Sequence, residues 1–97
     1  MNKQRRKELC ALIKKLQKAT NKDDLKDCIR ILDAIKSDEE LAYDNRPEGL
    51  QDSLQGSESQ EAIECMEEAL GYLEEAQNEE FEDNIEYAIS CLEDALM

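Results

Sequence analysis

The sequence predicts an all-α protein, either an antiparallel helical hairpin or a small bundle of three to four helices. Three observations lead to this expectation. Apolar residues recur with helical spacing, 38% of the 97 residues are charged with only 4% aromatic, and the single Pro falls in one connecting segment. Such a composition is typical of helical bundles and coiled coils, not of β-proteins or α/β enzymes. The length indicates a single helical domain over residues 1–97, small enough that a homodimer is an open alternative.

The first half of the chain predicts two amphipathic helices, at about 3–19 and 22–42. Their apolar stripes recur at intervals of three and four residues, the repeat of one helix face. These stripes consist of Leu9, Leu12, Ile13, Leu16 and Ala19, then Leu25, Cys28, Ile29, Leu32 and Ile35. Thr20 to Asp24 offers an N-cap followed by first-turn acids, so a second helix is expected to begin there, with a kink in one long helix as the alternative.

Residues 44–57 predict the main connection, a structured loop that carries the only Pro and two of the three Gly. Helix is expected to resume over 58–77, because Ser57 and Gln60 have the spacing of a capping box. A fourth segment, 79–96, is expected after a break or stutter at Asn78, which resembles an N-cap. The apolar stripes of these segments are Ile63, Met66, Leu70 and Leu73, then Phe81, Ile85, Ala88, Ile89, Leu92 and Leu96.

Charge is divided between the two halves of the chain. Residues 1–36 carry eleven Lys/Arg against five Asp/Glu, whereas residues 37–97 carry one against twenty, so the net charge of −13 combines +6 with −19. The basic cluster at Lys3 to Lys7 opens the first helix, and Glu93 and Asp94 close the last, each with the unfavourable sign for the helix dipole. An antiparallel arrangement of these two segments offsets both penalties, and we expect the basic helix to lie along the acidic one.

No catalytic constellation is recognisable, and an enzyme is not expected. Histidine is absent, which removes the usual general base near neutral pH and the usual transition-metal ligand. The sequence has no Gly-rich phosphate loop and no EF-hand spacing, so no cofactor or metal is expected.

The four cysteines are interpreted first as packing residues with free thiols. Cys10, Cys28, Cys65 and Cys91 are widely separated and lie on or beside the apolar stripes, unlike the close pairs of zinc sites. An antiparallel pairing leaves two alternatives open, which are disulfides joining Cys10 to Cys91 and Cys28 to Cys65, or a site made of Cys alone.

The acidic second half supplies the predicted partner-binding residues. Rows of carboxylates on a helix resemble the phosphates of a duplex and suit a groove that binds nucleic acid, although most acidic helices only keep a protein soluble. The predicted contacts are Glu64, Glu67, Glu68, Glu74, Glu75, Glu79, Glu80, Glu82, Asp83 and Glu86, with Tyr43, Asn45 and Arg46 of the connection as a second region. The basic first helix is a third candidate surface, but it lacks interleaved aromatics and the overall charge repels nucleic acid.

The segment Tyr43 to Ser53, together with Ser59 and the acidic helix that follows, resembles small hypothetical proteins of phages and prophages of Gram-positive bacteria. In those proteins a basic helix passes through an aromatic-Asp-Asn-x-Pro-Glu-x-Leu-Gln turn into acidic helices. The resemblance spans roughly residues 3–76, and the break at Thr20 to Asp24 and the four cysteines depart from it. No residue role transfers from this group, but it implies a phage context, in which small acidic proteins often inhibit host restriction or CRISPR nucleases.

The functional expectation is a non-enzymatic protein-binding module, a phage-encoded inhibitor that binds a host defence protein by its acidic helical surface and mimics nucleic acid. A homo-oligomeric assembly protein is the alternative, and a nucleic-acid-binding regulator that uses the basic first helix is the second alternative. No apolar run is long enough for a membrane span and no hydrophobic signal core is present at the N-terminus, so a cytoplasmic protein is expected.

Overall fold

The computed structural model of the chain describes residues 3–45 and 54–96, which form four helices. These are α1 (Lys3–Gln17), α2 (Lys22–Asp44), α3 (Leu54–Ala76) and α4 (Phe81–Ala95). α1 and α3 each pack against both α2 and α4, with the most extensive packing between α3 and α4. The four helices thus enclose one core as a ring, and the prediction of a small all-α bundle is confirmed.

Apolar side chains from all four helices meet in this core, and α1 matches its predicted stripe. Leu9, Leu12, Ile13 and Leu16 are all buried. α3 is rotated slightly from the prediction, because Ala62 and Ala69 are buried whereas Ile63 and Leu70 are only half-buried. Small side chains on the core face let neighbouring helices approach closely, and the larger ones then cover the edges of the contact.

α1 and α2 are separate helices, not one kinked helix. Asn21 is the N-cap of α2, and its side chain accepts a hydrogen bond from the backbone N–H of Asp24 at 2.9 Å. Asp23 and Asp24 lie in the first turn, where negative charge is favourable to the helix dipole. The predicted N-cap and first-turn acids therefore account for the break.

The break between α3 and α4 spans residues 77–80 and so includes Asn78, as predicted, but α4 begins two residues later than predicted. The N–H groups of Asn78 and Glu79 both bond to the carbonyl of Glu75, which extends the end of α3 by one turn. The N-cap of α4 is Glu80, in a left-handed conformation with φ 46°, and its side chain makes no capping bond. The prediction that Asn78 caps the helix was wrong, because the buried Asn84 fixes the turn instead by donating to the Glu79 carbonyl at 3.0 Å.

α3 begins earlier than the sequence predicted. Leu54 to Ser57 already belong to the helix, so Ser57 is not its N-cap as predicted. The short connection at 46–53, with Arg46, lies outside the described residues.

The first and last helices lie side by side in opposite directions, as the charge pattern predicted. Arg6 Nη1 donates to the carbonyl of Leu96 at 2.8 Å and so occupies the negative end of α4 with a cation. This contact places the basic start of α1 beside the acidic end of α4.

A buried ion pair joins α1 to α2. Arg5 Nε lies 2.6 Å from Glu39 Oε2, with the Glu39 side chain fully buried and that of Arg5 15% exposed. Burial raises the pKa of Glu39, but the Ser59 hydroxyl and the Arg5 guanidinium outweigh it and hold the pKa below its ordinary value. Ser59 is fully buried beside this carboxylate. This buried polar cluster therefore connects α1, α2 and α3.

Candidate interaction surfaces

The outer face of α3 carries a row of carboxylates. Glu64, Glu68 and Glu75 are exposed and, at intervals of four and seven residues, lie on one face of the helix opposite the buried Met66 and Leu73. Gly71 occupies the gap in this row, and a Cβ added there would meet no atom within 4 Å. The row is therefore sterically open along its length.

Glu67 and Glu74 lie on the side of α3 that faces α2. Glu67 is exposed, and its Oε1 lies 3.7 Å from Lys36 Nζ of α2. A hydrogen bond to Glu40 is the main reason that the pKa of Lys36 is raised, with Glu67 contributing less. Within the described residues, Lys36 makes the only ion pair with the carboxylates of α3, so most of their charge is uncompensated.

The remaining predicted acidic residues do not extend this row. Glu79 and Glu80 are exposed in the turn before α4, and Asp83 follows in its first helical turn. Glu82 and Glu86 are exposed on the opposite side of α4, where they line a groove against α1. The ten acidic residues predicted as one partner-binding set are therefore divided among the two exposed sides of α3, the turn before α4 and the groove rim on α4.

The predicted turn region is only partly described. Tyr43 is half-buried in the last turn of α2. Asn45 is exposed and caps the end of α2, with its backbone N–H bonded to the carbonyl of Leu41 at 3.0 Å. Leu41 is 60% exposed, which gives this end of α2 an apolar surface.

Two tyrosines on the α3 and α4 seam were not predicted as a site. The rings of Tyr72 and Tyr87 lie 5.4 Å apart at an angle of 47°. Tyr87 is 54% exposed, an unusual position for a large aromatic side chain. The two residues lie fifteen positions apart in sequence, and only the antiparallel register of α3 and α4 brings them together.

A groove of mixed apolar and polar lining runs between the end of α1 and the start of α4. It has a volume of about 320 Å³ and is lined by Leu16, Gln17, Ala19, Phe81, Glu82, Ile85, Glu86 and Ile89. Phe81 and Ile89 are half-buried and form its partly exposed wall. The exposed carboxylates of Glu82 and Glu86 give the α4 side of the groove a negative rim.

All four cysteines are free thiols, and neither disulfide considered from the sequence is formed. Cys91 Sγ contacts Glu68 Oε2 at 3.8 Å. Burial and the carboxylate of Glu68 raise the pKa of Cys91, while burial and Asp94 raise that of Cys65. Both thiols are therefore weaker nucleophiles than an ordinary cysteine at neutral pH.

Two features are absent from residues 3–45 and 54–96. No group of three or more Cys, Asp and Glu side chains there is arranged to hold a metal ion. Nor does any helix in that part of the chain combine the length and apolar character required to cross a membrane.

Comparison with known proteins gives no relative from which a role can be transferred. No protein-family model, no curated protein and no solved structure matches the chain. The surfaces of the molecule are therefore the basis on which its function is proposed.

Proposed function

We propose that the chain is a non-enzymatic inhibitor that binds a host nucleic-acid-binding protein through the carboxylates of α3. The supporting observation is the exposed row Glu64, Glu68 and Glu75 on a rigid helix; among the described residues, the one ion pair made by a carboxylate of α3 is that of Glu67 with Lys36, outside this row. A rigid acidic surface presents its charge without the entropic cost of ordering a flexible segment.

The density of charge on α3 is close to that of one strand of DNA. The five carboxylates from Glu64 to Glu75, which include Glu67 and Glu74 on the adjacent side that faces α2, occupy eleven helical steps of about 1.5 Å, which is about one charge per 3 to 4 Å of the whole helix. One strand of B-DNA carries one phosphate per about 3.4 Å of axis. A groove built to bind phosphates therefore meets a similar linear charge on this helix.

The resemblance to phage proteins gives this surface its biological context. A host defence nuclease, including a restriction or CRISPR enzyme, has a basic groove of the kind that such a helix would occupy. Occupation of that groove would exclude the nucleic acid by direct competition, and the inhibitor would need no chemistry of its own.

The test is affinity capture from a lysate of a Gram-positive host with three forms of the tagged protein. They are the wild type, the variant Glu64→Gln/Glu68→Gln/Glu75→Gln, and the control variant Asp33→Asn/Asp38→Asn/Asp44→Asn. The control removes the same charge from exposed positions of α2. The expected partner binds the wild type and the control, is lost with the α3 variant, and is eluted by added duplex DNA or by salt.

Equal retention of the partner by all three forms would contradict a role for the α3 row. Retention of DNA or RNA, with no protein partner, would instead favour a regulator that uses the basic α1. Recovery of the chain alone would favour the assembly alternative.

A further inference from the structure

The face formed by α1 and α4 has a basic edge, an acidic edge and, between them, a groove lined by five apolar and three polar side chains. On α1, the exposed Lys3, Arg6 and Lys14 share the face on which Gln17 borders the groove. On α4, the exposed Glu82 and Glu86 border the groove, and Glu93 follows on the same face seven residues later. Three cations along one edge thus oppose three carboxylates along the other.

Arg6 bonds the Leu96 carbonyl at the end of α4, but no ion pair among the described residues joins these two edges within one chain. Among the described residues, the ion pairs of α1 are made with α2, by Arg5 to Glu39 and by Lys15 to Asp27. None joins α1 to α4, which the groove separates at the Gln17 and Phe81 end. The face therefore presents complementary charges outward.

We infer that a second copy of this chain docks on the face formed by α1 and α4, related by a twofold axis that runs parallel to the helices. This axis places α1 of each protomer opposite α4 of its partner, so that both basic edges meet acidic edges. Rotation about this axis also leaves the position of each residue along the helix direction unchanged. The two grooves therefore meet at the same end of the dimer and cover each other.

The other twofold arrangement is unfavourable both for the charges on the two helices and for covering the groove. An axis perpendicular to the helices places α1 on α1 and α4 on α4, which brings like charges together. It also places the groove at the Gln17 end over the polar end of the partner, where Arg6 binds the Leu96 carbonyl. Charge and apolar surface thus select the same arrangement.

The docking surface is modest in size. α1 and α4 each have 15 residues and are therefore about 22 Å long. A two-helix face of this length lies at the small end of specific interfaces, so the dimer is expected to dissociate at low protein concentration and to weaken as salt rises. The inference does not depend on the proposed inhibitor function, since the α3 row lies on another side of the bundle and is exposed on both protomers.

The test is sedimentation equilibrium in a reducing, low-salt buffer from micromolar to near-millimolar protein. The wild-type mass is expected to rise from 11.1 kDa towards twice that value. Lys14→Glu and Glu86→Lys, each of which places like charges across the interface, are expected to weaken the dimer at least tenfold. The double variant Lys14→Glu/Glu86→Lys exchanges the two charges and is expected to restore it.

Lys26→Glu is the matched control, because it is an exposed charge reversal on α2, the helix diagonally across the bundle from α4. It should dimerise like the wild type, and circular dichroism should show that all variants are folded. A wild type that stays at the monomer mass throughout, or single variants that dimerise as well as the control, would overturn the inference. A mass that continues to rise beyond the dimer would overturn the twofold arrangement, because a closed pair cannot extend.

Discussion

Replacement of Arg5 by Met tests how the buried Glu39 is tolerated. The substitution keeps an unbranched apolar stem but leaves a fully buried carboxylate without the guanidinium that lies 2.6 Å away. Removal of one partner from a buried ion pair costs about 3 to 5 kcal/mol. Because Arg5 is 15% exposed and Ser59 still lies beside the carboxylate, we expect the lower end, about 3 kcal/mol, for Arg5→Met.

The measurement is urea unfolding followed by far-UV circular dichroism, with Arg6→Met as the control. Arg6 is exposed and, within the described residues, bonds only to the Leu96 carbonyl, so its loss should cost about 1 kcal/mol or less. In a chain of this size, a loss of 3 kcal/mol lowers the melting temperature by roughly 12 to 24 °C. If Arg5→Met unfolds within about 0.5 kcal/mol of Arg6→Met, the guanidinium does not compensate the buried charge and the argument fails.

The same ion pair gives a pH dependence with a definite sign. The pKa of Glu39 is lowered in the folded state, so its contribution to the free energy of unfolding is present above the unfolded pKa of about 4.3 and is lost as pH falls through the folded pKa. The stability difference between the wild type and Glu39→Gln should therefore be largest near neutral pH and shrink below about pH 4. The difference is the useful quantity, because protonation of the many surface acids affects both proteins alike. A difference that grows on acidification would show that the pKa of Glu39 is raised.

Three further predictions concern local structure. Asn21→Ala should destabilise the protein by about 1 kcal/mol in urea unfolding, because it removes the N-cap of α2. Asn78→Ala should cost little in the same assay, because Asn78 does not cap α4. Equal losses of stability in the two variants would contradict this assignment. Glu80→Gly should stabilise the protein by about 0.5 kcal/mol in the same assay, because its φ of 46° is strained for a side chain, and a loss of stability would argue against the left-handed turn. Cys10, which is exposed, should react with a disulfide reagent much faster than Cys28, whose burial raises its pKa and limits access; similar rates would show that the core opens readily.

Helical periodicity predicted α1 better than α3, and the reason is the size of the core residues. In α1 the large apolar residues Leu9, Leu12 and Leu16 are themselves the buried ones. In α3 the buried positions include Ala62 and Ala69, which contribute little to an apolar stripe read from sequence. A pattern weighted by hydrophobicity therefore locates α3, but it places the buried face of this helix one residue away from the observed one.

The buried ion pair was missed although the sequence contained an indication of it. Glu39 lies four residues after Ile35, and Arg5 four residues before Leu9, so each continues a core stripe by one turn. When two antiparallel helices each carry a charge on the core-facing side, and the two charges are opposite and lie at the same end of the pair, a buried ion pair is predicted. Each residue alone resembled the end of an amphipathic helix. The two could not be paired from the sequence, because the sequence of one helix does not show how it is aligned along the axis of its neighbour.

The acidic site residues were predicted individually but not as surfaces. Their exposure follows from the helical pattern, since each lies away from an apolar stripe. Their division between the outer row of α3 and the rim of the α1 and α4 groove depends on which helices are neighbours. That information comes from packing, and the same packing brings Tyr72 to Tyr87 and creates the groove.

The bond from Arg6 to the Leu96 carbonyl implies that the bundle does not require its helices to be connected in their present order along the chain. Because the start of α1 lies beside the end of α4, a short linker can join them and the chain can be opened instead at the turn that contains Glu80. Such a circular permutant begins with α4 and ends with α3, yet it retains every helix contact of the ring. Cutting there also releases the left-handed residue from its turn, so the site where the chain is easiest to open coincides with the site of backbone strain.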